Sequence, residues 1–538
     1  MRFRIVPIPI ATDETATMPQ HADFIVIGAG SAGCVVARLL AERGFRVMLV
    51  EAGPSAAINR SPANYLRTFG SSDDWDFETV PQAGLAQRKI RWPRGRGPGG
   101  CTRINASIWY PPQASDLAQL DLAGGPAWSS DLLLQSLRQI GDWVCPESPR
   151  WISEATRRFL IAANRSGHPF QAFLRMTRRG LRRTAADLLE ESPSYSAVRM
   201  VTAEVQRICF TGTRATGIEL LGGGEHHPET IVADIAVILS AGTIGSPTVL
   251  VRSGVGPLEA LQQSGYDPVQ AIEQVGANLS DHLIMPIIFA TSPQHRFPTA
   301  TDGHGLARLA VSGSGPLASN LAEAGGLFGL SQPSTATSAN DAGGAGAARA
   351  PRSLGHGTPS AQIHVTPTHY LLHPDARAPA AMTLGVNLCD PSSRGQLTFA
   401  PPTGGRNARV EIDPGYLSSA DDRQQVLLAI RFARDLAQQS PLASFCREEL
   451  VPGIRRQTDE AITRCVERYA QTLYHPVGTC RMGLDRDCVV NERLAVRGLS
   501  GLHIVDASVL PGLPSVNPNA TVMMLAMHAA KMIAESSS

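Results

Sequence analysis

The chain has 538 residues, 43% of them hydrophobic, with 48 basic and 47 acidic residues and a net charge of +1. That length exceeds what a single core usually serves, so two domains or one elaborated domain is expected. The charge balance gives no electrostatic reason to expect a nucleic acid or an anionic membrane as partner, and no apolar stretch reaches the ~18 residues a spanning helix needs.

Nine cysteines without a C-x-x-C pair argue against a zinc module or a disulfide framework, and no metal is expected. The odd count suits a reducing compartment, the cytoplasm by default. Residues 1–21 read as a disordered lead, because Pro7 and Pro9 break an apolar patch too short for a signal core.

Residues 23–27 form a short apolar run, as a buried parallel strand does. Glycines follow, then a helical stretch from Ser31 to about Arg43 that Gly44 is placed to end. Residues 46–50 read as the next strand, completing a βαβ unit. Residues 198–220 alternate like a hairpin or meander turning near 211–212. A turn at 222–228 carries His226 and His227, read as loop residues, and the cluster 178–183 reads as a solvated basic face. Residues 231–239 are a buried strand leading into a helix that ends near Ser253. Residues 331–352 are too poor in large apolar residues to build a core and read as a flexible insertion. Residues 420–439 have helical periodicity, 502–505 form a strand, 511–518 a loop, and 520–533 a Met- and Ala-rich helix. Met482, Met523, Met524 and Met527 are expected in the core.

Gly28-Ala-Gly-Ser-Ala-Gly33 is a G-x-G-x-x-G set between a strand and a helix. Gly28 permits the tight turn, Gly30 lets backbone approach a pyrophosphate, and Gly33 lets helix and strand pack closely. The helix start at Ser31 and Ala32 offers free N–H groups and partial positive charge to phosphates. Glu51, 18 residues past Gly33, can accept hydrogen bonds from a ribose diol. This pattern indicates a dinucleotide; its early position and the following Ala52-Gly53 lean toward FAD.

Five further blocks follow in order. They are Pro93-Arg-Gly-Arg-Gly-Pro-Gly-Gly-Cys-Thr-Arg-Ile-Asn-Ala106; Ser240–Pro247 with Ser253-Gly-Val-Gly-Pro257; Val275-Gly-Ala-Asn-Leu-Ser-Asp-His282; His475-Pro-Val-Gly-Thr-Cys-Arg-Met-Gly483; and Val505-Asp-Ala-Ser508 with Asn517-Pro-Asn-Ala-Thr-Val-Met-Met524. Together they resemble the glucose–methanol–choline (GMC) oxidoreductases from Asp23 to the C-terminus. The resemblance implies an α/β fold in which a doubly wound, Rossmann-like FAD-binding domain (22–113, 198–283, 479–538) adjoins a discontinuous antiparallel-sheet substrate domain (114–197, 284–478). It places Gly99, Gly100, Asn105, Ala106, Ser107 and Ile108 along the flavin and pyrophosphate, Val205 at the adenine, and Asp506 and Ala507 beside the ribityl-pyrophosphate. Asp506 also suits a capping role, and Asp281 and His282 read as structural.

The resemblance implies oxidation of an uncharged primary alcohol to an aldehyde, with the flavin accepting hydride and passing electrons to oxygen or another acceptor. An alcohol carbon releases hydride as its O–H proton departs, so a base must stand beside the oxygen; a histidine, with its pKa near ~6.5, suits that task. His475 takes this role, with Asn519, at the family's His-or-Asn position, as its partner. Tyr474 is a candidate pocket wall; Cys480 and Arg481 receive no chemistry. The chain departs from the family's pattern at Cys101, Thr102 and Arg103, where Arg103 is expected to add charge near the flavin, and at Ala106, Pro111 and Pro112. No histidine in this loop offers covalent attachment of FAD. Against the family it resembles, the chain is short at residues 149–183, where the family's lid segment falls. Alternative readings are a hydroxynitrile lyase with a structural flavin, a light-driven decarboxylase (against which His475 argues), and a non-catalytic flavin-binding relative.

Overall fold

The computed structural model describes residues 21–221, 229–297, 303–330, 360–372, 379–401 and 409–537. The expected lead, short of its last residue, the turn with His226 and His227, and the insertion at 331–352 lie outside them. His21, expected in the lead, instead opens the first strand.

Two sheets organise the chain. The first is built on His21–Ile27, whose run of Phe24 to Ile27 is buried on both faces, as a central parallel strand must be. It pairs in parallel with Val47–Glu51 on one side and Thr230–Leu239 on the other. Val198–Thr202 extends the sheet beyond Val47–Glu51, and Leu502–Ile504 pairs with the C-terminal half of Thr230–Leu239, both in parallel. The hairpin Val205–Thr211 and Arg214–Leu220 completes it antiparallel. The alternation at 198–220 thus covers two structures: a parallel edge strand and a hairpin. Periodicity reports which residues are half-buried and carries nothing about which strand lies alongside.

The second sheet is antiparallel, ordered Glu448–Val451, Leu283–Ala290, Ala381–Leu388, Ala361–Thr366, Ala324–Phe328 and Gln171–Ala172, with Gln471–Thr472 also on Leu283–Ala290. Its central strands Ala361–Thr366 and Ala381–Leu388 are buried on both faces, and the helices Glu154–Arg165 and Ala420–Ala437 pack on one side. The other side, with Ile284, His364, Thr366, Thr383 and Gly385, faces a cavity. Side-chain alternation puts every second residue on that wall.

The C-terminal helix Pro518–Ser537 packs on Ser31–Glu42 and on Ser130–Val144, with Met523, Met524 and Met527 fully buried; Met482 lies in the core as well. Ala185–Glu190 also packs on Ser31–Glu42. Segment 114–197 is therefore shared between the two sheets. The basic cluster at 178–183 divides too: Arg178 is exposed, whereas Arg182 and Arg183 are buried, Arg182 donating to the Thr102 carbonyl and Asn105 Oδ1, and Arg183 donating to the Trp143 and Val144 carbonyls and pairing with Glu191. Among the described residues no helix is long and apolar enough to cross a membrane.

Candidate active site

A cavity of about 620 Å³ runs between the sheets, well inside the ~300–1,000 Å³ range of small-molecule sites. Of the residues expected at the cofactor, Gly28, Gly30, Ser31, Ala32, Glu51, Ala52, Gly100, Asn105, Ala106, Ile108, Val205, Asp506 and Ala507 line it; Gly33, Gly99 and Ser107 do not. His475 and Asn519 share the same cavity, joined by Asn517, His364, Tyr370 and Tyr474.

The glycines divide by what surrounds them. Gly28 has a φ of +99°, and a Cβ there would stand 2.5 Å from the Ser240 carbonyl oxygen. A Cβ on Gly33 would stand 1.9 Å from the Gly28 carbonyl oxygen, which is the close helix–strand packing expected of it. A Cβ on Gly30 would meet nothing within 4 Å, since it would project into the cavity. Gly99, outside the lining, ties the second glycine loop to the first by donating its N–H to the Ala29 carbonyl at 2.7 Å. No side chain caps the helix Ser31–Glu42 and its first turn carries no acid. Its first N–H groups therefore have no partner within the helix, and their partial positive charge suits a pyrophosphate. The cradle fits FAD.

Glu51 does more than await a ribose. Its carboxylate accepts the N–H groups of Ala29 at 2.9 Å, Gly53 at 2.8 Å and Gly97 at 2.9 Å, knitting both glycine loops to the strand end. Asp506 is likewise a brace, accepting from Gly242 N–H at 2.8 Å, Ser508 N–H at 2.8 Å and Ser246 Oγ at 2.5 Å. Burial raises the Asp506 pKa against these bonds. Asn105 accepts the Ser107 N–H at 2.9 Å, and Arg182 donates to Asn105 Oδ1 at 3.1 Å and to the Thr102 carbonyl at 3.0 Å. Ser107, with φ of +54°, turns its carbonyl to the Met176 N–H, away from the cavity wall.

Arg103 does not add charge to the flavin site. It is 3% exposed, outside the cavity lining, and pairs with Asp73 at 2.6 Å while donating to the Pro98 and Ala56 carbonyls. A buried guanidinium seeks an anion and carbonyls, and these lie behind the loop.

His475 sits where two antiparallel segments meet: Leu283 pairs with Thr472 and Ser280 bridges to Val477. Between these contacts Asp281 accepts the His475 N–H at 2.6 Å and the Thr472 hydroxyl at 2.6 Å, and also receives the Tyr416 hydroxyl. Arg94 donates to the Tyr474 carbonyl at 2.7 Å, and Tyr474 holds a φ of +68°. The turn is thus fixed on both sides of the imidazole.

The ring of His475 has two direct partners. Its Nδ1 lies 2.9 Å from His282 Nδ1, and its Nε2 lies 3.2 Å from Asn517 Nδ2. His282 in turn meets the Cys389 carbonyl through Nε2 at 3.1 Å. Asn519 does not bond the ring: its Oδ1 accepts from Ser31 Oγ at 2.8 Å, and its Nδ2 has only the Met176 and Met523 sulfurs at 3.9 Å. Thioethers are weak acceptors, so that amide N–H remains available. Burial drives the His475 pKa well below its usual value, helped by His282, His364 and the Arg94 charge. Burial also pushes His282 down to about 4 and His364 to about 3. The three imidazoles are therefore neutral at pH 7. His364 lines the cavity with neither ring nitrogen partnered. His364 did not stand out in the sequence, where a strand histidine carries no distinguishing pattern; Asn517 opened the fifth block's second run but received no role there.

Comparison with known proteins accords with this geometry. Family models described as GMC oxidoreductase match residues 22–284 and 391–526. A GMC-type oxidoreductase of Mycobacterium tuberculosis is 31% identical over 96% of this chain and 100% of its own. The alcohol dehydrogenase [acceptor] of Pseudomonas putida is 29% identical over 95% of each. The crystal structure of pyridoxine 4-oxidase from Mesorbium loti superposes with a TM-score of 0.80 at 27% identity, covering 95% of this chain and 98% of that one. The chain belongs to the GMC oxidoreductases, FAD-dependent enzymes that act on CH–OH groups.

Proposed function

We propose that the enzyme oxidises an uncharged primary alcohol to its aldehyde, with His475 as the base. One observation carries this reading: a rigidly held, neutral imidazole shares a single cavity with an FAD cradle. FAD in that cradle would supply the hydride acceptor. His475 takes the hydroxyl proton at Nε2 as the C–H bond breaks. The Asn517 amide keeps Nε2 aimed into the cavity until a hydroxyl takes its place, and the poorly partnered Asn519 Nδ2 then donates to the substrate oxygen. The second-sheet wall presents Ile284, His364, Thr366 and Tyr370 and no carboxylate among the described residues. A cationic substrate would find no counter-charge on that wall, whereas a neutral alcohol with an apolar or aromatic body finds a neutral surface with polar handles in His364, Thr366 and Tyr370.

The test is anaerobic mixing with a panel of aliphatic, aromatic and quaternary-ammonium primary alcohols. Neutral members should bleach the oxidised flavin absorbance. Flavin that stays yellow with every member would overturn the reading. Reduction by the quaternary-ammonium alcohol alone would overturn the assignment of an uncharged substrate.

A pH profile gives a second check. Desolvation penalises the imidazolium, so the active, neutral form of His475 persists to lower pH than for an exposed histidine. The rate of reduction per free enzyme should stay flat as pH falls through 6.5, with the acid limb below it. A limb above 6.5 would show that another group, or a solvated histidine, controls the step.

A further inference from the structure

We propose that His282 is a positioning residue that holds His475 in its Nδ1–H tautomer and so leaves Nε2 as the lone pair facing the cavity. The idea deepens the assignment of His475 as base and rests on it for its catalytic consequence.

One chain of contacts runs from the Cys389 carbonyl through His282 and His475 to Asn517. His282 Nε2 is 3.1 Å from the Cys389 carbonyl oxygen. A carbonyl has no proton to give, so Nε2 must carry it. His282 is completely buried, and a neutral imidazole has one N–H, so its Nδ1 is an acceptor. That acceptor lies 2.9 Å from His475 Nδ1. The contact is a hydrogen bond only if His475 Nδ1 is protonated. In the other tautomer two lone pairs would face each other in a dry interior, at the cost of an unmade buried hydrogen bond. With its proton on Nδ1, His475 presents a lone pair at Nε2, and Asn517 Nδ2 points at it from 3.2 Å.

Without such a brace an imidazole is free to carry its proton on either nitrogen, and the Nε2–H form cannot accept the hydroxyl proton. The brace ends at a carbonyl oxygen, so it orients the base without offering the proton a way out. The proton taken at Nε2 leaves on the cavity side. His282 meets His475 because Leu283 and Thr472 are paired, one residue past His282 and three before His475.

The experiment uses ¹⁵N-histidine-labelled holoenzyme. The His475 imidazole resonances are assigned by their loss in His475→Ala. A pyrrole-type Nδ1 and a pyridine-type Nε2 are expected; the reverse pattern overturns the proposal without any variant. Anaerobic reduction is then compared in His282→Leu, which cannot accept a hydrogen bond, and His282→Asn, whose Oδ1 can. The leucine variant should mix the tautomers and slow reduction at saturating alcohol by ~10²-fold, with substrate affinity little changed; the asparagine variant should recover much of the rate. Equal rates in both variants, or an unchanged tautomer in His282→Leu, would overturn it. If His475→Ala itself reduces normally, the base assignment fails while the tautomer measurement still stands on its own.

Discussion

Replacing His475 with alanine should leave a folded, yellow protein whose flavin is reduced by alcohol ~10²–10⁴-fold more slowly, the usual contribution of a general base. The cofactor should stay bound because the cradle is built from other elements: Gly28, Gly30, Glu51 and Gly99 belong to the first sheet and its loops. The turn should survive because Asp281 holds residue 475 through its backbone N–H and Arg94 holds the carbonyl before it. The variant loses the ring alone, leaving His282 Nδ1 and Asn517 Nδ2 without their partner. Stopped-flow absorbance over a series of alcohol concentrations measures the effect. A fall in limiting rate with little change in affinity is the pattern of a group acting in the transition state. Reduction close to the unmodified rate would reassign the base, with His364 next in line because it shares the cavity and has two free ring nitrogens.

Gly30→Val and Gly28→Val should fail in different ways. A side chain at Gly30 enters open cavity, and its backbone, at φ −79° and ψ −165°, accepts valine. The protein should fold normally and bind FAD ~10–100-fold more weakly, as an intrusion of ~1–3 kcal/mol predicts. At Gly28 the side chain meets the Ser240 carbonyl at 2.5 Å, and a φ of +99° strains any L-residue. Clash and strain act on the fold itself, each ~1–3 kcal/mol. Flavin titration with thermal unfolding of the apoprotein separates the two. A Gly30→Val protein that retains full FAD affinity would place the phosphates elsewhere; an apoprotein equally unstable in both would make Gly30 a packing glycine.

The cradle was legible in the chain because its parts are neighbours in sequence. A buried strand, three glycines at fixed spacing, a helix and an acid at the next strand end all lie within residues 23–51. Local conformation and close approach dictate those residue types, so they can be read in order. The blocks around His475 and Asn517–Asn519 were legible for a related reason, as runs resembling a family.

Three outcomes were not legible, and each concerns where a polar group finds its partner. Arg182 lies in a cluster that reads as a wet basic face, yet it is buried against the Asn105 loop because acceptors wait there, and burial lowers its pKa to about 10. Arg103 follows two glycines of the flavin loop, yet turns to Asp73 behind it. In Asn517-Pro-Asn519, the two amides flank the first residue of the same helix, and only the packing decides that the first meets His475 and the second meets Ser31.

The sequence by itself determined the βαβ start and a dinucleotide cradle, and through its family blocks FAD, a second, antiparallel-sheet domain and His475 as the residue to examine. The tertiary structure alone decided the company that histidine keeps. His282 stands 193 positions away, and strand register rather than any local pattern brings their rings to 2.9 Å. Local propensities fix conformation residue by residue, while the direction of a hydrogen bond between distant side chains depends on which strands pair and in what register.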